Sequence, residues 1–349
     1  MKFYKNHHRY YCGIDLHAKQ MYLCVVDSSG TKHLHKNIAT KPDEFLEAIA
    51  PFREDLIVGV EGMFCWYWIA DLCESEGIPF TLGHALYMRA VHGAKTKSDK
   101  LDSERIALLL KSGMFPEAYV YPKEMRACRD LLRRRLFTVR KRGELLAHLN
   151  MTHYQYNAEV PTKSLGYKKN RENISDPFID PALRRMIESD SRLVDTYTKE
   201  VKDIELFIRR EAMKTGKNAL HLTLLKTVPG IGDVLSLTLL YEINTIERFP
   251  AVQNFCSYAR LVKPTRSSAG KRTGGGGGKM GNHHLRWAFA EASVMLIRNS
   301  PEAKQYFARL QKQYHKAKAL STLSHRLGIA VYFMLKRETA FDQRMFFRI

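Results

Sequence analysis

Four carboxylates stand out by context, two of them within apolar strand-like runs and two at a helix start. Asp15 lies within the apolar run CGIDL, Glu61 closes the run LIVGVE, and Asp99 and Asp102 sit three apart in SDKLDSERIALLL. An acid at the end of a core strand must be paired, hydrogen-bonded or bound to a cation to offset its desolvation. Residues three apart at a helix start project from one face. Brought together, these four acids would suit one or two Mg2+ ions, which take oxygen ligands and polarise a scissile phosphodiester. Taken singly, each has a simpler explanation, and Asp99 would serve as the cap of the helix that carries Asp102.

A second group is Lys263-Pro264-Thr265-Arg266-Ser267-Ser268-Ala269-Gly270-Lys271-Arg272. A serine hydroxyl is a weak nucleophile without a base or charge stabilisation. Here the neighbouring cations would stabilise a phosphoryl transition state. By itself Ser-Ser-x-Gly is a common loop sequence. His283 and His284 read as phosphate contacts or helix-start residues sooner than as proton-transfer groups. The six cysteines form no CxxC pair and read as reduced, mostly buried thiols.

The elements that must position these groups change character along the chain. Strands are expected at Tyr11–Leu16, Met21–Asp27 and 31–38, a helix at Pro42–Ala50, a buried strand at Asp55–Glu61, a helix at Phe64–Glu76 and a strand near 79–82. Antiparallel strands followed by strand–helix alternation is the order of an RNase H-like α/β fold, shared with other mixed α/β folds. The next hundred residues are charged and helical, rich in Arg133, Arg134, Arg135, Arg140, Lys141 and Arg142, with a loop expected over 160–180 between two long helices. This spacing predicts a helical hairpin or coiled coil. Its basic faces are either solvated surface or a nucleic-acid contact. Then comes LLKTVPGIG before an apolar helix, a Pro-Gly-x-Gly turn like that of a helix-hairpin-helix, whose amides can approach a phosphate; tight interhelical packing is the alternative. The expected division is therefore 1–120, an α/β catalytic domain; 121–221, the helical hairpin; and 222–349, a mainly α domain carrying the serine group.

The 349 residues hold 56 Lys+Arg against 36 Asp+Glu, a formal charge of +20. That surplus favours a polyanionic partner, through release of condensed counterions. From Arg248 to Ala290 there is no Asp or Glu, while Arg266, Lys271, Arg272, Lys279 and Arg286 are among the basic residues there, and Gly274–Gly278 breaks the run. No apolar stretch approaches the length of a membrane span, and the start lacks the apolar core of a signal peptide, so a cytoplasmic, nucleoid-associated protein that binds nucleic acid and no membrane is expected.

In their order and spacing, GIDLHAK, VGVEGMFCWYW, HGAKTKSDKLDSERIALLL, LLKTVPGIGDVLSLTLL and SSAGKR…KMGNHHLRWAFAEA resemble the IS-one-ten class of insertion-sequence transposases. These are DEDD-type enzymes related to the pilin-gene invertases. The resemblance covers roughly 12–115 and 222–300. It implies an RNase H-like (RuvC-like) N-terminal domain with its tetrad on Asp15, Glu61, Asp99 and Asp102. It also implies a C-terminal transposase domain whose serine, best matched by Ser268 with Ser267 as the alternative, joins covalently to DNA. The implied partners are donor-end and target DNA, a structured element-encoded guide (bridge) RNA and further copies of the chain, as dimer or tetramer. Nucleic-acid contacts are expected at Arg133, Arg134, Arg135, Arg266, Lys271, Arg272, Lys279 and Arg286. Where the class has Ser-Gly-Gly this chain has Ser268-Ala269-Gly270, and a five-glycine run precedes Lys279.

Three other readings compete. A structure-specific nuclease of the junction-resolvase kind would use only the carboxylates. An actin-like ATPase or sugar kinase would share the GIDLHAKQMYLCVVD hairpin, but a second Asp-Gly-rich phosphate loop is not visible. A non-catalytic nucleic-acid-binding protein, a decayed or repurposed copy of an element, is the third, and the four acids argue against it without excluding it.

Overall fold

A computed structural model of the chain describes residues 2–92, 98–159, 162–263, 267–268, 271–272 and 280–347. It divides into two compact units, Met1–Lys123 and Glu124–Ile349. The residues that the sequence texture separates into 121–221 and 222–349 thus group together.

In the first unit β1 (Tyr10–Leu16), β2 (Gln20–Asp27) and β3 (Lys32–Ala39) form an antiparallel meander. After α1 (Pro42–Ile49) and a 3-10 turn, β4 (Leu56–Glu61) returns parallel to β1. Then α2 (Tyr67–Ser75) leads to β5 (Phe80–Gly83), parallel to β4, and α3 (Ala85–His92) and α4 (Asp99–Lys111) precede β6 (Glu117–Ala118), antiparallel to β5. The sheet order is β3-β2-β1-β4-β5-β6. Cys12, Ile14, Leu16, Val58 and Val60 face a core shared with Phe45, Ile69 and Cys73 of α1 and α2. On the opposite face Tyr11 and Ile57 pack with Ile106, Ala107 and Leu110 of α4. Both faces are covered, which is why β1 and β4 read as nearly continuous apolar runs. The observed strands match the expected ones to within about two residues. β6 has only two residues, too few for an alternation to register.

The second unit opens with two long helices, α5 (Lys123–Gln155) and α6 (Pro181–Met213). Arg135 pairs with Glu205, Arg142 with Thr198 and His148 with Asp190, so the partners run in opposite directions and the helices form an antiparallel hairpin. Along α6 the buried Ile187, Val194, Val201 and Ile208 recur every seven residues, a coiled-coil seam. The segment expected as a loop between these helices is anchored. Arg171, buried, donates to Asp195, Ser191 and the Leu165 carbonyl, and Leu165, Ile174 and Phe178 pack with Leu149 and Ile187.

Next come α7 (Gly216–Lys226), α8 (Asp233–Ile243), α9 (Val252–Tyr258), a short hairpin of β7 (Ser267–Ser268) with β8 (Lys271–Arg272), and α10 (His283–Asn299), α11 (Pro301–Gln313), α12 (Lys316–Arg337) and α13 (Gln343–Phe347). Their shared core includes Leu239, Phe255, Phe289, Leu327 and Tyr332. The Pro-Gly-x-Gly turn joins α7 to α8. Gly230 there has φ +113°, and a Cβ on it would lie 2.6 Å from the Leu296 amide of α10. The turn is thus packed against a neighbouring helix. Asp233, the first residue of α8, already holds Lys226 and Arg209 at the helix end where a phosphate would sit.

Candidate active site

Asp15 and Asp99 come together because two glycines let a helix lie on the sheet. Gly13 is two residues before Asp15, and Gly59 two before Glu61, so each glycine shares a face with its acid. A Cβ at Gly13 would lie 2.3 Å from the Ser103 carbonyl and from the Ala107 amide of α4; one at Gly59 would lie 2.6 Å from the Leu110 side chain. With hydrogen in both places, α4 meets β1 almost backbone to backbone and seats the Leu110 side chain on β4, and its N-terminus comes to the C-terminal end of β1. The parallel register pairs Ile14 with Val60, so Asp15 and Glu61 follow side by side on adjacent strands.

The start of α4 is capped by Ser98, whose hydroxyl accepts from the Leu101 amide at 3.3 Å. Asp99 is therefore the first helical residue, and capping does not account for it. His17 bridges the two elements: its Nε2 lies 3.5 Å from Asp15 and 3.7 Å from Asp99. Ligand atoms of Asp15, His17 and Asp99 all fall within 4.8 Å of one another. Asp102 accepts from Arg105 at 2.9 Å. Burial pushes the Asp15 carboxyl above the usual carboxylate range; His17 opposes this, while the charges of Asp99 and Asp102 push the same way. A half-buried carboxylate crowded by others is an environment that a cation relieves. The donor set of Asp15, His17 and Asp99, carboxylate oxygens with one imidazole, suits a hard divalent metal, while Glu61 and Asp102 do not join that group. His17 went unrecognised in the sequence. Its signal is the Asp-x-His spacing, which puts both side chains on one face at a strand end.

The serine group belongs to the second unit. Ser267 pairs with Arg272 and Ser268 with Lys271 along the β7–β8 ladder, so both serines sit in a short hairpin. Arg266 and Lys279 lie outside the described residues. Arg286 is exposed in the first turn of α10. Asn282 caps that helix, accepting from the His284 and Leu285 amides, so His283 and His284 are helix-start residues. Burial, together with Arg133 and Arg129, outweighs the opposing pull of Glu242 and holds His284 down at about 4, leaving it neutral near pH 7. Of the three adjacent arginines, Arg133 makes a two-pronged bond to buried Glu242 and Arg135 binds Glu205, while exposed Arg134 lies over the Phe137 ring.

The model of the transposase IS116/IS110/IS902 family matches residues 222–308, and the IS110-type DEDD transposase model matches residues 12–154. No curated protein matches the chain. The first match falls within the serine-bearing second unit, and the second covers the carboxylate-bearing sheet and runs on through nearly all of α5. Enzymes of this class cleave DNA and transfer strands. The chain belongs to the IS110 family of DEDD transposases. Among the described residues no helix is long and apolar enough to cross a membrane.

One consequence of the glycine contacts is open to direct measurement. Gly13→Ala should lower the stability of the first unit by about 1–3 kcal/mol, the usual cost of overpacking. Cleavage should fall with it, because α4 is displaced together with Asp99. Thermal melting and a DNA-nicking assay check this; unchanged melting and unchanged nicking would mean that α4 does not rest on Gly13.

Proposed function

We propose that this transposase cuts and rejoins DNA through a composite chemistry. In this reading Asp15, Glu61, Asp99 and Asp102 hold Mg2+, and Ser268, or Ser267, is the nucleophile. The observation that carries it is the seating of α4 on Gly13 and Gly59, which gathers Asp15, His17 and Asp99 at the C-terminal end of β1. The order β3-β2-β1-β4-β5, with β2 antiparallel to its neighbours, supports an RNase H-like (RuvC-like) assignment for this unit. When bound, the metal would supply Lewis-acid stabilisation of charge on the scissile phosphate. The chain's own groups do the rest. Asp15 and Glu61, fixed by the strand register, and Asp99, fixed by α4, orient the site. His17 holds Asp15 and Asp99 together.

In the serine step the hydroxyl oxygen attacks the phosphorus and one P–O ester bond of the strand breaks. The departing deoxyribose hydroxyl takes up a proton, and the phosphate stays esterified to the serine. Attack by a second deoxyribose hydroxyl reverses the linkage and returns the serine. Arg266, Lys271 and Arg272 would hold the DNA backbone, with Lys279, Arg286 and the basic face of α5 around Arg134 as further nucleic-acid contacts. A guide RNA from the element and a dimer or tetramer of the chain complete the proposal, both on the strength of the family.

Metal dependence tests the carboxylate part. Purified protein stripped with EDTA should lose strand cleavage, recover it on addition of Mg2+, and keep its melting temperature within a few degrees throughout. Cleavage that persists in EDTA would overturn this part of the reading.

A further inference from the structure

The buried carboxylate of Glu242 does something that neither the acid site nor the serine chemistry uses. Its side chain is 2% exposed. Four bonds converge on it: Arg133 Nε at 2.7 Å and Nη2 at 3.0 Å, Arg129 Nε at 3.0 Å and Asn282 Nδ2 at 2.7 Å. Burial alone would raise this carboxyl, but the Arg133 bond, the two arginine charges and Asn282 together bring it down to about 2. The network joins α5, α8 and the cap of α10. Apolar packing would join the same helices with less desolvation, and buried ion pairs are weak stabilisers that can fix a single arrangement.

That arrangement lies where the chain departs towards Ser267 and Ser268 and where it returns. The Asn282 amide donates to the Tyr258 carbonyl at 2.6 Å, and Arg260 Nε donates to the Gly281 carbonyl at 2.9 Å. Gly281, at φ +88°, allows this close approach, since a Cβ there would lie 2.6 Å from the Tyr258 carbonyl. Residues 258–260 and 281–282 are thus tied to each other, and through Asn282 to Glu242. We propose that Glu242, with Arg129, Arg133 and Asn282, is a positioning device for strand transfer, fixing the two chain ends between which the serines lie. The inference rests on the serine reading above. In-line phosphoryl transfer is slowed about 10²-fold by a misplacement of about an ångström, so losing the anchor should slow the reaction without emptying the DNA site.

Two variants of the full chain test it, with an element-end DNA duplex as substrate. Asn282→Ser keeps a capping oxygen for α10 but is too short to reach Glu242. The triple variant Arg129→Met/Arg133→Met/Glu242→Met removes all three charges together and leaves none buried alone. Strand transfer at saturating DNA should fall about 10²-fold in each. Asn282→Ser should also stay folded, with a melting temperature lowered by the lost bond to Glu242, and keep the wild-type DNA Kd. Wild-type transfer in either folded variant overturns the proposal, and so does failure of both to fold, which would make the network structural only. A Ser267→Ala/Ser268→Ala control separates the two readings: wild-type transfer there removes the serine mechanism itself, whereas loss there with wild-type transfer in the anchor variants removes only the anchor.

Discussion

Asp15→Asn should reduce strand cleavage by roughly 10³-fold or more, the loss expected when a metal-holding carboxylate leaves a phosphoryl-transfer site. Glu61→Gln should do the same, since the two acids follow each other along the β1–β4 register. Neither substitution changes side-chain size, and neither touches the core. The effect on stability has the opposite sign from that of a typical buried ion-pair partner. Burial raises the Asp15 carboxyl, with Asp99 and Asp102 adding to it against His17. A carboxyl raised in the folded state contributes stability that is present at low pH and lost as pH rises through its folded value. Charged Asp15 therefore strains the metal-free fold, and Asp15→Asn should melt no lower than the wild type in EDTA at neutral pH. Nicking assays and thermal melts, run side by side, check both halves. A clear drop in melting temperature with full cleavage would assign Asp15 to structure and remove it from the chemistry.

The second large effect concerns the hairpin of Ser267–Ser268 with Lys271–Arg272. Ser268→Ala should abolish strand transfer, because the step that conserves the phosphate bond runs through that hydroxyl, with Ser267 as the alternative. If Ser267 substitutes, the single variant keeps slow transfer and the double variant has none. Transfer assays on element-end DNA, with the DNA Kd measured for each variant, separate lost chemistry from lost binding. Cleavage at the wild-type rate in the double variant would point to a nuclease working with the carboxylates alone.

Much of this arrangement was legible in the sequence, for reasons that differ from element to element. The strands of the first unit announce themselves because both sheet faces are covered, so CGIDL and LIVGVE read as apolar runs, each interrupted by one acid that core burial alone would not tolerate. The convergence of Asp15 with Asp99 was less accessible. It depends on Gly13 and Gly59 making room for α4, a contact between residues some ninety and fifty positions apart that no local pattern records. His17 escaped for a related reason, since an exposed histidine just past a strand becomes informative only when the helix carrying Asp99 is in place.

The arginines teach the complementary lesson. Arg133, Arg134 and Arg135 look alike in sequence, yet Arg133 meets Glu242 and Arg135 meets Glu205, while Arg134 lies over Phe137. Helical geometry separates them by about 100° per residue, and their carboxylate partners come from distant helices. A run of like charges on an amphipathic helix therefore contains residues with different roles. Similarly, the Pro-Gly-x-Gly turn has the sequence of a phosphate cradle, but Gly230 is positioned against Leu296 and Asp233 holds two cations at the helix start.

The most direct test of the composite chemistry is to trap the protein on DNA and identify the linkage. Wild-type protein, incubated with Mg2+, the element's RNA and an end-labelled element-end duplex, should give a labelled band that migrates as protein plus one DNA strand on a denaturing gel. Proteolysis and mass spectrometry should place the phosphodiester on the peptide containing Ser267 and Ser268. The band should be absent in Asp15→Asn, in Ser268→Ala and in EDTA. A linkage on any other residue, or efficient rejoining of strands with no covalent species in the wild type, would contradict the account.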